Sequence, residues 1–410
     1  MSLARQARGR RPARGWRCAV FSGNAPLARL HVRIGCRGSQ TWSICHAPAT
    51  RELGTVVFVR DVRPRPAPIY LLYRDTEGRI DGIGDYCERL GSALRAAGAD
   101  AHAVTWRSRG IDVSEGTVIL QYNPFAFGRW GFAPRLPFEM ASLRRRRPYV
   151  RQVVMVHEPF VAIDSVRSLV MGIWQRFQLR AVLSSVDGVM VSTSSWAGLL
   201  PAHCHPIAAP VGSNLPDRRE RRDVTRRALG VDSETLVLAT FGTDHPSRLL
   251  DHVVAAANAV AARSEQVILL YLGVGTSTLD GLDPAISVHR PGRQSVDELA
   301  EALSAADIYL AALSDGLSTR RTTLMAALQH ALPIVGTYGP LTEPDLRAEN
   351  DAIRWTPTGD PKRFADASLD LAGDAALRQR RGAAARALYE RRFSWELIAQ
   401  SVLAALRPQA

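Results

Sequence analysis

From Pro68 onward, short apolar runs alternate with stretches in which apolar residues recur at helical spacing, the pattern of parallel strands joined by crossover helices. "PIYLLY" (68–73) reads as a strand, "GIGDYCERLGSALRAAG" (82–98) as a turn and helix, and "AHAVTW" (101–106) as the next strand. "TVILQY", "VVMVHEP", "DGVMVST" and "PIAAP" continue the series to about Pro210. "PVGSNLPDRRERRD" then breaks it with Pro, Gly and a charge cluster, a hinge between two domains. A second series follows: "LVLATFGT", a helix from about Ser247, "VILLYLGVG", "AISVHR", a helix opening at Ser295, "DIYLAAL", a further helix and "LPIVGTY". Ser295 and Glu298 have the capping-box spacing.

The expected architecture is therefore α/β, with two Rossmann-like domains facing across a cleft. Its parts are an extension over 1–65, an N-terminal domain over 66–212, a C-terminal domain over 213–375 and terminal helices over 376–410. In those helices Leu388, Phe393, Trp395, Ile398 and Val402 need a surface to cover, and crossing back to the first domain would supply one. Ligands of such sheets sit beyond the carboxyl ends of the strands. The glycine-rich and polar clusters "DGIGDY", His157-Glu158, "FGTDHPSR", "GVG" and "SDGLSTRR" all fall there.

Charge alters this picture at one end only. The net charge is +13, but residues 1–65 hold 13 Arg, no Lys and 2 acidic residues, which leaves 39 basic against 37 acidic over 66–410. A folded part so close to neutral, with no basic stripe, does not suit nucleic acid. Residues 1–65 lack a clean helix or strand period and read as disordered, or as an upstream extension. Of the five cysteines only Cys87 and Cys204 lie in the expected fold, without metal spacing, which fits a reduced compartment. No apolar run reaches the length of a membrane span.

The stretch "SDGLSTRRTTLMAALQHALPIVGTYGP" (314–340) carries the clearest chemistry. Leu324, Ala327, Leu328 and Ala331 share one helical face, so a helix should start near Arg320. Ser318, Thr319, Thr322 and Thr323 would then cap a helix N-terminus flanked by Arg320 and Arg321, a seat for phosphate. The same residues also suit an ordinary capped helix with two solvated arginines.

In order and spacing these stretches resemble the family 4 glycosyltransferases of the GT-B fold over residues 66–406. "GIGDYCERLGSALRAAG" is similar to that family's first glycine turn and helix, "VMVHEP" to its strand ending in His, and "PIAAPVGSNLP" to its hinge. "LSAADIYLAALSDGLS", "ALQHALPIVGT" and the terminal "RRFSW" resemble its donor-domain signatures. The resemblance implies retaining transfer of a sugar from a nucleotide diphosphate sugar, the co-substrate, to an acceptor, with no cofactor and no metal. It assigns His157, Asp315 and Arg248 to the chemistry. Gly82, Gly84, Gly242, Ser318, Arg320, Arg321 and Thr322 go to the donor, and the positive charge neutralises the leaving diphosphate. Where the family has a second carboxylate, counting back from "LPIV" gives Ala326, so the ribose contact is unassigned.

On the acceptor side stand Glu158, Tyr122 and Phe125, the last two in "QYNPFAFGRWGFAPRLPFEM", an aromatic loop able to stack on a ring. The run Arg144 to Arg147 reads as a solvated helix end or as a contact to anionic lipid. The expected partners are a nucleotide sugar and a glycan, glycolipid or small-molecule acceptor, in the cytoplasm or at the inner face of the membrane. The alternative is a non-catalytic protein that keeps the fold and binds a ligand. A pyridoxal-dependent phosphorylase is disfavoured, because the only lysine, Lys362, lies outside every cleft motif.

Overall fold

The computed structural model describes residues 67–74, 82–106, 113–163, 165–275 and 277–407. The extension over 1–65, with the turn that precedes Gly82, lies outside the described residues. Pro66–Ala410 is one compact unit.

Its first half runs β1 (Ile69–Tyr73), α1 (Gly82–Ala96), β2 (Ala101–Thr105), β3 (Thr117–Tyr122), α2 (Pro124–Phe127), α3 (Arg135–Arg146), β4 (Arg151–Val156), α4 (Val166–Leu183), β5 (Gly188–Val191) and β6 (Ile207–Ala208). The second runs α5 (Arg222–Ala228), β7 (Leu236–Phe241), α6 (Leu250–Ala261), β8 (Val267–Leu272), β9 (Ser287–His289), α7 (Val296–Ser304), β10 (Ile308–Ala311), α8 (Thr322–Gln329), β11 (Ile334–Tyr338), α9 (Pro344–Arg347), β12 (Ile353–Pro357), α10 (Pro361–Gly373), α11 (Ala375–Arg392) and α12 (Trp395–Ala405). The strands form two six-stranded sheets, ordered β2-β1-β3-β4-β5-β6 and β12-β11-β10-β7-β8-β9. Every pairing is parallel, as in Leu71↔Ile119 and Leu238↔Leu269.

Parallel strands covered by helices on both faces must be apolar throughout, and the central ones are. β3 and β4 are buried after their first residue, β7 before its last, and β10 along its whole length. Ser295 and Glu298 close the expected capping box on α7.

The last helices do return to the first half. α12 packs on α1, where Trp395 stands 5.5 Å from Tyr86 and donates from Nε1 to Ser213 O at 2.7 Å. A Cβ on Gly212 would lie 2.6 Å from the Trp395 ring, so only glycine admits the indole there.

Three local expectations are corrected. The helix over the 314–340 stretch begins at Thr322 with Arg321 as its N-cap, and no side chain caps it. The Ser318 hydroxyl is instead buried without a partner, and Thr319 Oγ1 faces Ser192 O at 2.9 Å. Gly82 and Gly84 lie inside the first turn of α1 rather than in a preceding loop. The aromatic stretch after β3 is mostly helical, forming α2, a 3-10 turn over Arg129–Gly131 and α3.

Candidate active site

The second sheet reverses its strand order between β7 and β10, and a parallel sheet opens a crevice at the carboxyl ends of two such strands. A cavity of about 210 Å³ lies there, walled by the ends of β7 and β10 and the start of α8. Gly242, Arg248, Arg320, Arg321 and Thr322, assigned to the donor from sequence, all line it. Gly242 has φ +148°, and a Cβ there would meet no protein atom, so glycine satisfies the backbone and leaves that wall open.

Arg248 is held by neutral acceptors only. Its Nη1 donates to Gly242 O at 3.2 Å and to Tyr271 Oη at 3.1 Å, and its Nη2 to Thr240 Oγ1 at 2.9 Å. The Tyr271 ring lies 4.7 Å from the Arg248 guanidinium carbon and 4.4 Å from that of Arg290. Among the described residues no carboxylate lies within ion-pair distance of Arg248. Its geometry is fixed while its charge stays available to an anion.

Arg320 and Arg321 are placed differently from the open anion seat expected of them. Both donate to Asp315 Oδ2, Arg321 from Nη2 at 2.7 Å. Arg320 Nη1 also reaches across to Glu158 Oε1 at 3.0 Å and its guanidinium lies 5.5 Å from the Trp196 ring, so it joins the two halves. Burial, then the neighbouring Arg320, draw Arg321 below the usual guanidinium range. This ion-pair network still leaves buried groups unpaired. Asp315 Oδ1, Ser318 Oγ, Arg320 Nε and Arg321 Nε have no hydrogen-bond partner. One unsatisfied buried group costs roughly 1–3 kcal/mol, and four of them fall within residues 315–321.

His157 closes β4 on the opposite side. Its Nε2 stands 2.9 Å from Gln121 Oε1, and Gln121 Nε2 donates to Ile119 O, so the network puts the proton on Nε2 and leaves Nδ1 as an acceptor. Burial lowers its pKa to about 4, so the ring is neutral at neutral pH. The His157 carbonyl already accepts from Ser192 Oγ and Trp196 Nε1, and the ring packs edge-on against Tyr86 at 4.9 Å, which leaves Nδ1 as the available acceptor.

Glu158 accepts from Asn123 Nδ2 at 3.3 Å as well as from Arg320. Phe125, on the helix that Asn123 caps, is 46% exposed. Tyr122 is corrected: it is fully buried in the first half's core, its hydroxyl faces Gln178, and burial raises its pKa to about 12, so no acceptor reaches it.

Sequence reasoning passed over several residues. His245 and Ser247 line the cavity, Ser247 linking the His245 ring (2.7 Å) to Arg321 (3.3 Å). Both sit in the quoted "FGTDHPSR", whose density of polar residues after a strand was the available signal. Glu343 gave none. It is 1% exposed and accepts hydrogen bonds from Thr193 Oγ1 of the first half and from the Thr319 backbone and hydroxyl of the second.

Residues 235–374 match the family model of "Glycosyl transferases group 1". A curated protein of Corynebacterium glutamicum, "GDP-mannose-dependent monoacylated alpha-(1-6)-phosphatidylinositol monomannoside mannosyltransferase", is 27% identical over 205 residues, 48% of this chain and 53% of that protein. The chain thus matches about half the length of that relative. Among solved structures, sucrose-phosphate synthase from Thermosynechococcus elongatus superposes with a TM-score of 0.60 at 16% identity, over 82% of this chain and 97% of its own. Anabaena Alr3699/HepE in complex with UDP and glucose does so with a TM-score of 0.58 at 14% identity, over 83% and 99%. The two halves together have the GT-B fold, and the resemblance to family 4-like glycosyltransferases drawn from the motifs stands, its sequence match centred on the second half.

Proposed function

We propose that the chain transfers a sugar from a nucleotide diphosphate sugar to a glycan, glycolipid or small-molecule acceptor, with retention at the anomeric carbon and without a metal ion. The observation that carries this reading is the cavity at the β7–β10 switch point, lined by Arg248, which has no ion-pair partner among the described residues, and by Arg320 and Arg321, whose Nε atoms are buried and unpaired. A departing diphosphate develops negative charge, and preorganised guanidinium groups in a restricted site stabilise it most effectively.

In this reading Arg248 meets the diphosphate, with the first turn of α8 and Arg321 beside it. Asp315, partly exposed beside Arg320 and Arg321, is the candidate carboxylate for the sugar, whereas Ser318, at 0% exposure and outside the cavity lining, has no route to the donor. His157 Nδ1 accepts from a sugar hydroxyl, and Phe125 flanks the acceptor. Glu158 becomes a positioning residue, because its carboxylate is spent on Arg320 and Asn123. The curated relative's name gives GDP-mannose and the Anabaena structure contains UDP and glucose, both consistent with a nucleoside diphosphate seat.

The second reading, a binding protein without transfer, is favoured by one feature: Ala326, in the second carboxylate's place, is buried in the core and offers no ribose contact. Release of nucleoside diphosphate from a panel of nucleotide sugars, in the presence of a chelator, separates the two. Release by the wild type, lost in Arg248→Ala, supports transfer. A wild type that binds nucleoside diphosphate but releases none from any donor and acceptor pair supports the binding protein.

A further inference from the structure

Helix α4 has its polarity reversed up to Gln178. There it turns Ser168, Gly172, Gln175 and Gln178 toward the protein, the two glutamines 0% and 2% exposed, before Leu179, Val182 and Leu183 anchor its end in the core. Toward solvent, at the i, i+3, i+4, i+7 and i+11 positions of one face, it turns Val166, Leu169, Val170, Ile173 and Phe177, which are 41–81% exposed. The inner polar residues are there because the loop after β3 needs them. Gln175 donates to Trp130 O at 3.0 Å and accepts from Val161 N at 2.8 Å, and Gln178 accepts from Ala133 N at 2.8 Å. That explains the inner face but leaves the apolar outer one without a partner. The neighbouring α3 also exposes an apolar side chain, Phe138, at 65%. Five exposed apolar side chains on one helix face mark an interaction surface.

The charges around the patch select the partner. α4 carries Arg167, Arg176 and Arg180 and no acidic residue; α3 carries four arginines against Glu139 alone. The excess is local, since the chain from residue 66 onward is almost balanced. A second copy docked face to face would set arginines against arginines, whereas apolar side chains rimmed by guanidinium groups suit the interface of an anionic bilayer. Both helices follow the carboxyl ends of strands in the first half, α3 after β3 and α4 after β4.

We propose that the outer face of α4, with Phe138 of α3, docks the protein on an anionic lipid surface. Docking in this way requires no transmembrane segment, and among the described residues no helix is long and apolar enough to cross a membrane. Nor does it depend on sugar transfer: a protein inert toward every nucleotide sugar would still bind lipid through this face.

The test is co-sedimentation of the full chain with phosphatidylcholine vesicles with and without phosphatidylglycerol. The wild type should bind only the anionic vesicles, and weaken steeply with salt, because a basic residue near such a surface is worth about 1 kcal/mol, or roughly 5-fold each. Val170→Ser with Phe177→Ser should reduce binding about tenfold or more, and Arg167→Ser with Arg180→Ser by a similar factor. All four side chains are exposed, so the thermal midpoint should not move. Equal vesicle binding by the wild type and both variants, as the basic residues 1–65 could produce alone, would overturn the proposal. So would an absence of binding, or a concentration-dependent dimer that Phe177→Ser dissolves.

Discussion

Arg320 of the second half and Glu158 of the first form an ion pair at 3.0 Å across the cleft, with side-chain exposures of 12% and 36%. The pair does more than join two surfaces. The guanidinium that Glu158 holds also grips Asp315, so the relative placement of the halves fixes the orientation of a carboxylate at the candidate site. Glu158→Gln should therefore disturb function more than stability. A partly exposed pair contributes up to about 1 kcal/mol, a small change in thermal midpoint, while loss of one Arg320 anchor should lower kcat/KM about tenfold. Steady-state kinetics beside thermal denaturation checks both, and a large loss of stability with unchanged kinetics would refute the positioning role.

Arg248→Ala should reduce kcat/KM for sugar transfer by roughly 10²- to 10³-fold, the usual effect of removing one preorganised donor to developing charge. Arg248→Lys should recover little. An ammonium group cannot hold Thr240, Gly242 and Tyr271 and still present a planar edge to phosphate. Kinetics of the two variants with a common donor measures this.

Glu343→Ala should be a stability variant. The carboxylate is buried between Thr193 and Thr319, and its loss leaves a backbone N–H and two hydroxyls to find new partners. The expected cost is about 2–4 kcal/mol in denaturant unfolding. A value near zero would show that the halves are held together elsewhere.

The His157 pKa falls from 6.5 to about 4 in the folded chain because burial disfavours the charged ring. Between these values the unfolded chain binds the proton and the folded one does not, so stability falls as pH drops from about 6.5 toward 4. The share of His157 is about 3 kcal/mol. His245 and His330 are lowered by burial too and act with the same sign, so His157→Asn should flatten the slope without abolishing it. Unfolding free energies measured across this range decide it.

The alternating pattern carried the fold into the sequence almost completely, because strands buried on both faces, such as β7 and β10, must be written as apolar runs. Residues whose role is local to a strand end were legible too: Gly242, Arg248, Arg320 and Arg321 do meet at one cavity. Roles that depend on contacts distant in the chain were not. Tyr122 looked like an acceptor platform, but the even register of β3 turns it into the core. The hydroxyls at 318 and 319 looked like helix caps, yet Thr319 is claimed by Ser192 and Glu343, one of them 127 residues away. Glu343 carries no local pattern, and the apolar face of α4 reads in the sequence as a core face, because periodicity alone does not tell which side of a helix meets the protein.

In the proposed function the switch-point cavity seats a nucleoside diphosphate through Arg248. That assignment is tested most directly by thermal denaturation of the wild type and Arg248→Ala with UDP, GDP and ADP. A diphosphate at about 100 times its Kd should stabilise the folded chain by about 2.7 kcal/mol, raising the wild-type midpoint by several degrees. At least one of the three should give such a rise, and Arg248→Ala should abolish it. No rise with any of them, or an equal rise in the variant, would contradict the assignment.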